Sequence, residues 1–221
     1  MPKSKRNRIV TVSATKSKGI ELKSDLVKQI KDSVDEYSNL FVFTVQNMRN
    51  AKLKDVRNEW SHSRFYFGRN KIMAKAIGDT VETEVAENIH KVSKQIVGDV
   101  GLLFTNKTLE EVTEWFDQYS QSDYARAGCV ADREFVIKAG DLSQFPHNME
   151  PQLRSLGLKT SMKKGVVTLD EDYVVCKFGQ TLSPEQCRLL KLFAVEMVQF
   201  QITLKCHWNR EGKFALLDSA Q

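Results

Sequence analysis

The sequence runs to 221 residues, 41% hydrophobic and 28% charged, enough to bury a core in one domain or two small ones and too apolar for a disordered chain. No apolar run approaches the roughly 20 residues that span a bilayer, and the basic start MPKSKRNR lacks the apolar stretch of a signal peptide, so neither secretion nor membrane spanning is expected. The net charge of +5 is unevenly spread: residues 1–75 carry 17 Lys/Arg against 7 Asp/Glu, residues 76–221 carry 16 against 21, and such a basic lobe is the footprint of a polyanionic partner.

After a basic arm over residues 1–20, Leu22, Leu26, Ile30, Val34 and Tyr37 recur at helical spacing and predict a first amphipathic helix. LFVFTV at Leu40–Val45 reads as a strand buried on both faces. Leu53, Val56 and Trp60 mark a second helix with Lys54 directed elsewhere. Arg64–Phe67 is a short strand, and a short helix follows from about Lys71 to Ile77. Val81, Val85, Ile89, Val92 and Ile96 predict a further helix. Val100–Phe104 is another buried strand. Thr108 and Glu111 stand at capping-box spacing before a helix that buries Leu109, Val112, Phe116 and Tyr119. Strands alternating with helices argue an α/β layer.

From about Ala125 the texture becomes richer in Gly and Pro, with strand-like pieces at Gly165–Leu169 and Tyr173–Lys177. Asp170-Glu171-Asp172 lies between them, where a hairpin turn belongs. Ser183-Pro184-Glu185-Gln186 is a strong helix start, with Ser at the N-cap, Pro at the first position and Gln three residues after the cap; the helix ends near Phe193. Finally Phe200, Ile202, Leu204, Cys206 and Trp208 alternate with Gln201, Thr203, Lys205 and His207, a strand with one buried and one wet face. It needs a sheet to join, and the nearest large one lies in the N-terminal half. The expected organisation is a first domain over 1–125, an inserted domain over 126–194 and a return segment over 195–221.

Cys129, Cys176, Cys187 and Cys206 form no CxxC pair, so neither a zinc ribbon nor a dense disulfide framework is readable, and reduced thiols are expected. Cys206 and His207 are strand neighbours on opposite faces and cannot share a metal. No P-loop, GxGxxG, GxSxG or HExxH is present. Ser61-His62-Ser63 is a poor catalytic group, because adjacent side chains rarely meet. His90 and His147 read as helix-surface and loop residues. No cofactor or metal is expected.

The most informative local feature is Phe67-Gly68-Arg69-Asn70-Lys71, at a strand exit and a helix entrance. Asn70 is a natural N-cap, and Gly68 permits close backbone approach or positive φ. Arg69 and Lys71 oppose the positive end of the helix dipole, at a cost of about 0.3–1 kcal/mol each. A phosphate at this end reverses that sign. The nucleic-acid candidates are therefore Lys3, Lys5, Arg6 and Arg8 in the arm, then Arg49, Lys52, Lys54, Arg57, Arg64, Gly68, Arg69, Asn70, Lys71 and Lys75. A solubilising or localising role for the arm and an ordinary turn at Gly68–Lys71 stay open alternatives. An anionic membrane surface is the weaker polyanion, for want of a long basic amphipathic helix.

The ordered set FVFTVQNMRNAKLKDVRNEW, FYFGRNKIMAKAI, DVGLLFTN, DYARAG and the Pro-Glu-Gln helix start resembles the ribosomal stalk-base family. The MPKSKR start and FPHNMEPQLRSLGL resemble its ribosome-assembly paralogue, and the likeness covers nearly the whole chain. The resemblance implies an α/β rRNA-binding domain interrupted by a smaller inserted α+β domain, with the last strand returning to the first. It implies a non-catalytic assembly factor that holds the stalk base (the GTPase-associated centre) of large-subunit rRNA in pre-60S particles until the acidic stalk-base protein replaces it. It further implies work in the nucleolus and nucleus with shuttling to the cytoplasm, contact with neighbouring ribosomal proteins and assembly factors, and a link to mRNA turnover and rRNA processing. Gly68, Asn70 and Lys71 match the family's RNA-facing loop, with Arg69 where Lys is usual; a planar fork can select different contacts from an ammonium. Because the sequence ends at Gln221, the platform that recruits acidic stalk dimers is expected to be missing. The competing readings are the mature stalk-base protein, an RNA-processing nuclease using Asp170–Asp172, and an interaction module centred on residues 126–182.

Overall fold

The computed structural model describes residues 20–217. Its elements, in chain order, are α1 (Ile20–Glu36), β1 (Asn39–Gln46), α2 (Asn50–Glu59), β2 (Arg64–Tyr66), α3 (Asn70–Ile77), α4 (His90–Ser93), β3 (Val100–Thr105), α5 (Leu109–Gln118), β4 (Ser120–Asp123), β5 (Phe135–Ile137), β6 (Gly140–Asp141), α6 (Glu150–Ser155), β7 (Thr160–Lys163), β8 (Val166–Leu169), β9 (Tyr173–Cys176), α7 (Pro184–Leu192), β10 (Val198–Asn209) and β11 (Phe214–Leu216). This is a mixed α/β protein. The larger sheet runs β11–β10–β1–β3–β2, with β4 paired to the first residues of β10. The late strand β10 therefore lies beside β1. Among the described residues no helix is long and apolar enough to cross a membrane.

The chain forms two compact units: one from residues up to Thr44, Arg57–Glu111 and Leu204 onward, the other from Val45–Val56 and Val112–Thr203. In the first unit the register of β1 on β3 sets the packing. Leu40 faces Phe104 and Val42 faces Leu102 on one side of the sheet, while Phe43 faces Gly101 on the other. The Leu40 side gathers Ile30 and Val34 of α1, Met73 and Ile77 of α3, and Cys206 and Trp208 of β10 into one core. On the Gly101 side the missing side chain makes room for the Phe43 ring, which meets Phe65 and Phe67 edge-on. Leu22, placed on the apolar stripe by its spacing, is exposed at the open end of α1.

The helix expected over Val81–Ile96 shrinks to the four residues of α4. Gly78 ends α3 at φ +95, and a Cβ there would lie 2.5 Å from the Thr83 carbonyl oxygen, so the chain must turn. Thr80 and Thr83 then hydrogen-bond each other across the turn at 2.8 Å, and Asn88 adopts φ +63. Val81 is left exposed, and apolar spacing alone had masked these breaks.

In the second unit, β6–β8–β7 and β5–β9 form two small antiparallel sheets around Leu153, Val167, Leu169, Val175, Leu189 and Leu190. β8 and β9 do not pair with each other, so Asp170–Asp172 is not a hairpin turn but a crossing between two sheets. The hairpin lies one strand earlier, β7 to β8, where Lys164 and Gly165 take φ +51 and +80. The Ser183 capping box is complete, with Gln186 N–H donating to Ser183 Oγ at 3.2 Å and Ser183 N–H to Gln186 Oε1 at 2.8 Å.

Candidate nucleic-acid interface

Lys3, Lys5, Arg6 and Arg8 lie outside the described residues. Of the remaining candidates, Arg57, Arg64, Gly68, Arg69, Asn70, Lys71 and Lys75 belong to the first compact unit, and Arg49, Lys52 and Lys54 to the second.

The β2–α3 connection is the denser group. β2 is the edge strand of its sheet, and the chain leaves it through Phe67 and Gly68 into α3. Gly68 does not take positive φ; its role is space, since a Cβ would stand 3.0 Å from Leu26 Cδ2 and 3.5 Å from Met73 Cγ. The close approach is to the protein's own core, not to a ligand. Nor does Asn70 cap α3. Arg69 occupies the N-cap position with extended backbone and no side-chain cap, while Asn70 is the first helical residue and its Nδ2 donates to the Gly98 carbonyl at 2.8 Å. The Arg69 carbonyl closes the first turn on Ile72 N–H at 2.8 Å and Met73 N–H at 3.1 Å. The positive end of α3 is thus uncapped and flanked by the exposed Arg69 and Lys71, with Lys75 one turn further on the helix. Among the described residues no carboxylate comes within ion-pair distance of Arg57, Arg64, Arg69, Lys71 or Lys75. Cations left unpaired around an uncapped helix start suit an oxyanion.

Arg49 and Lys52 are differently employed. Arg49 Nε donates to Asp123 Oδ2 at 2.6 Å and its terminal nitrogen to the Tyr124 carbonyl at 2.7 Å. Burial pushes the Asp123 carboxyl up, but the Tyr124 N–H and the Arg49 guanidinium outweigh it and hold it below its usual value. Lys52 Nζ donates to the Ser122 carbonyl. These two side chains fasten the start of α2 to β4, an arrangement the sequence did not announce, because Ser120–Asp123 has no apolar alternation. Lys54 is exposed without an ion-pair partner among the described residues.

The acidic run is taken up by cations: Asp170 by Lys163 at 3.6 Å and the Ser161 hydroxyl at 2.7 Å, Glu171 by Lys159 at 2.9 Å, Asp172 by Lys138 at 2.8 Å. Among the described residues no group of three or more His, Cys, Asp or Glu is placed to hold a metal. All four cysteines are free thiols, and burial pushes Cys206 up to about 12. His90 Nδ1 lies 2.7 Å from Glu84 Oε2. His207 is buried, not on a wet face.

Two family models match the chain: ribosomal protein L10 over residues 18–121, and the insertion domain found in the 60S ribosomal protein of that same family over residues 125–195. Ribosome assembly factor mrt4 of Dictyostelium discoideum is 44% identical across 99% of this chain and 97% of its own length. The protein of that name from Saccharomyces cerevisiae is 31% identical across 96% and 95%. Large ribosomal subunit protein uL10 of S. cerevisiae is 24% identical across 83% of this chain but only 58% of its own length.

Proposed function

Because the chain belongs to the ribosomal protein L10 family, with full-length similarity to ribosome assembly factors, we propose that it is a non-catalytic factor in large-subunit assembly that binds rRNA at the stalk base of pre-60S particles. It holds that site until the acidic stalk-base protein takes it over, acting in the nucleolus and nucleus and passing to the cytoplasm. The observation that carries the RNA reading is the uncapped start of α3 with Arg69 and Lys71 unpaired beside it. Phosphates there accept from helix N–H groups and the two cations, and neighbouring cations on the same unit extend the contact. Folded-RNA shape supplies selectivity, since A-form helices are read through phosphates and 2′-hydroxyls.

Nuclease chemistry finds no support in the acidic run, whose three carboxylates each face a lysine instead of converging on one point. Two proteins sharing one RNA footprint exclude each other, so binding competes with uL10.

The test is charge reversal against a stalk-base rRNA fragment. Arg69→Glu with Lys71→Glu is expected to weaken binding at least about tenfold and to flatten the salt dependence by about one unit of slope per lost phosphate contact. Lys163→Glu with Lys164→Glu should change it little. Equal losses from the two pairs would remove the loop from the interface.

A further inference from the structure

The second unit contains a concavity of about 630 Å³ between the start of α2, the end of β4 and one face of α7. It is a wide, open groove and not an enclosed cavity, a shape suited to an extended segment. α7 contributes Pro184, Cys187, Arg188 and Lys191, whose spacing of three, four and seven places them on a single helix face. The buried Ala125 and Cys187 make an apolar floor, and the exposed Ala51, Ala127 and Pro184 continue the apolar lining. The rim is cationic: Arg126, Arg188 and Lys191 are exposed and, among the described residues, have no carboxylate within ion-pair distance. The one acid in the wall, Asp123, is neutralised by Arg49.

We propose that this groove docks an acidic peptide segment of a partner protein, one that carries apolar side chains between its carboxylates. The carboxylates match the rim, and the apolar side chains leave water for the floor. RNA fits less well. A phosphate backbone needs no apolar floor, and the cations beside that floor, Arg49 and Lys52, are already spent on Asp123, Tyr124 and Ser122, which leaves only the exposed rim cations to meet a polyanion. The proposal goes beyond the rRNA reading and does not depend on it, because α3 contributes nothing to the groove.

The experiment is fluorescence anisotropy on the full chain with three labelled probes: a peptide alternating Glu and Asp with Leu and Phe, polyglutamate of equal length, and a single-stranded RNA oligonucleotide. The mixed peptide is expected to bind at least about tenfold more tightly than polyglutamate, and Arg126→Glu with Arg188→Glu to cost it at least about tenfold. Lys191 is left unchanged, as it lies in the last turn of α7, where a carboxylate would itself weaken the helix. Ala51→Trp, which fills the groove from an exposed helix position, should reduce peptide binding while leaving the charges intact, and so keeps the test decisive if the double variant unfolds. Polyglutamate matching the mixed peptide overturns the proposal. So does an RNA loss in the double variant equal to the peptide's, which would make the groove an RNA surface.

Discussion

Asn70 Nδ2 donates to the carbonyl of Gly98 at 2.8 Å, tying the first residue of α3 to the turn that leads into β3. The side chain that looks like a helix cap is therefore a tether, and the capping position falls to Arg69, whose side chain cannot accept a hydrogen bond. A residue that leaves its own helix end unsatisfied fits a site in which the ligand completes the cap.

Stability and binding should consequently move in opposite directions at Arg69. Arg69→Ser supplies the missing acceptor and should raise the unfolding free energy by about 1 kcal/mol while lowering rRNA affinity. Asn70→Ala should instead lose about 1 kcal/mol through the broken tether. Urea unfolding and filter binding on the same preparations check both signs; an Arg69→Ser protein that is weaker in both respects would refute the uncapped-helix argument.

Gly101 leaves no space for a side chain beside the Phe43 ring. A Cβ there would stand 2.6 Å from Phe43 Cζ and 2.8 Å from Phe67 Cε2, and Phe43 is fully buried and has no room to retreat. Gly101→Ala is expected to destabilise by roughly 1–3 kcal/mol and to push Phe67 outward, displacing the Gly68–Lys71 connection. Adding Phe67→Leu should recover part of the loss in thermal unfolding, because the smaller side chain vacates the space the methyl needs.

Local chemistry was readable wherever one residue type decides the outcome. Ser183 and Gln186 announce a capping box, and the alternation from Phe200 to Trp208 announces β10, because both signals act within a few residues. Three other features were hidden because each depends on a distant partner. Asn70 finds Gly98 instead of its own helix, Arg49 finds Asp123, and β8 turns to β6 and β7 instead of to β9. The Val81–Ile96 stripe misled for the opposite reason: its spacing was helical, but Gly78 and Asn88 hold positive φ that no continuous helix tolerates. Of the candidate site, the Gly68–Lys71 cations were legible as a charge-rich helix entrance. The division of labour between free and internally bonded cations was not.

That division can be measured. Arg49 bonds one carboxylate and one carbonyl at once, a geometry that Lys cannot reproduce. Arg49→Lys and Arg49→Ala should both destabilise, the latter by roughly 1–3 kcal/mol, with no change in the salt slope of RNA binding. A reduced slope with unaltered stability would return Arg49 to the interface.

His207 gives a pH signature. Its Nε2 is 2.9 Å from Asn39 Oδ1, and the Asn39 amide nitrogen donates to the Lys107 carbonyl at 2.9 Å, which leaves the oxygen facing the ring and places the imidazole hydrogen on Nε2. The ring packs against Phe41 with centroids 4.6 Å apart, and burial holds its pKa below the ordinary 6.5. The unfolded chain therefore takes up this proton more readily than the native one. The contribution is fully present above about pH 6.5 and is lost as pH falls through the lowered native value. His62 and His147 are exposed and His90 faces Glu84, so the comparison must be made at one position. His207→Gln keeps a donor toward Asn39 but cannot take up a proton. Its urea-derived stability should decline less than the parent's between pH 7 and 5, and an identical decline would show that His207 is not the group responsible.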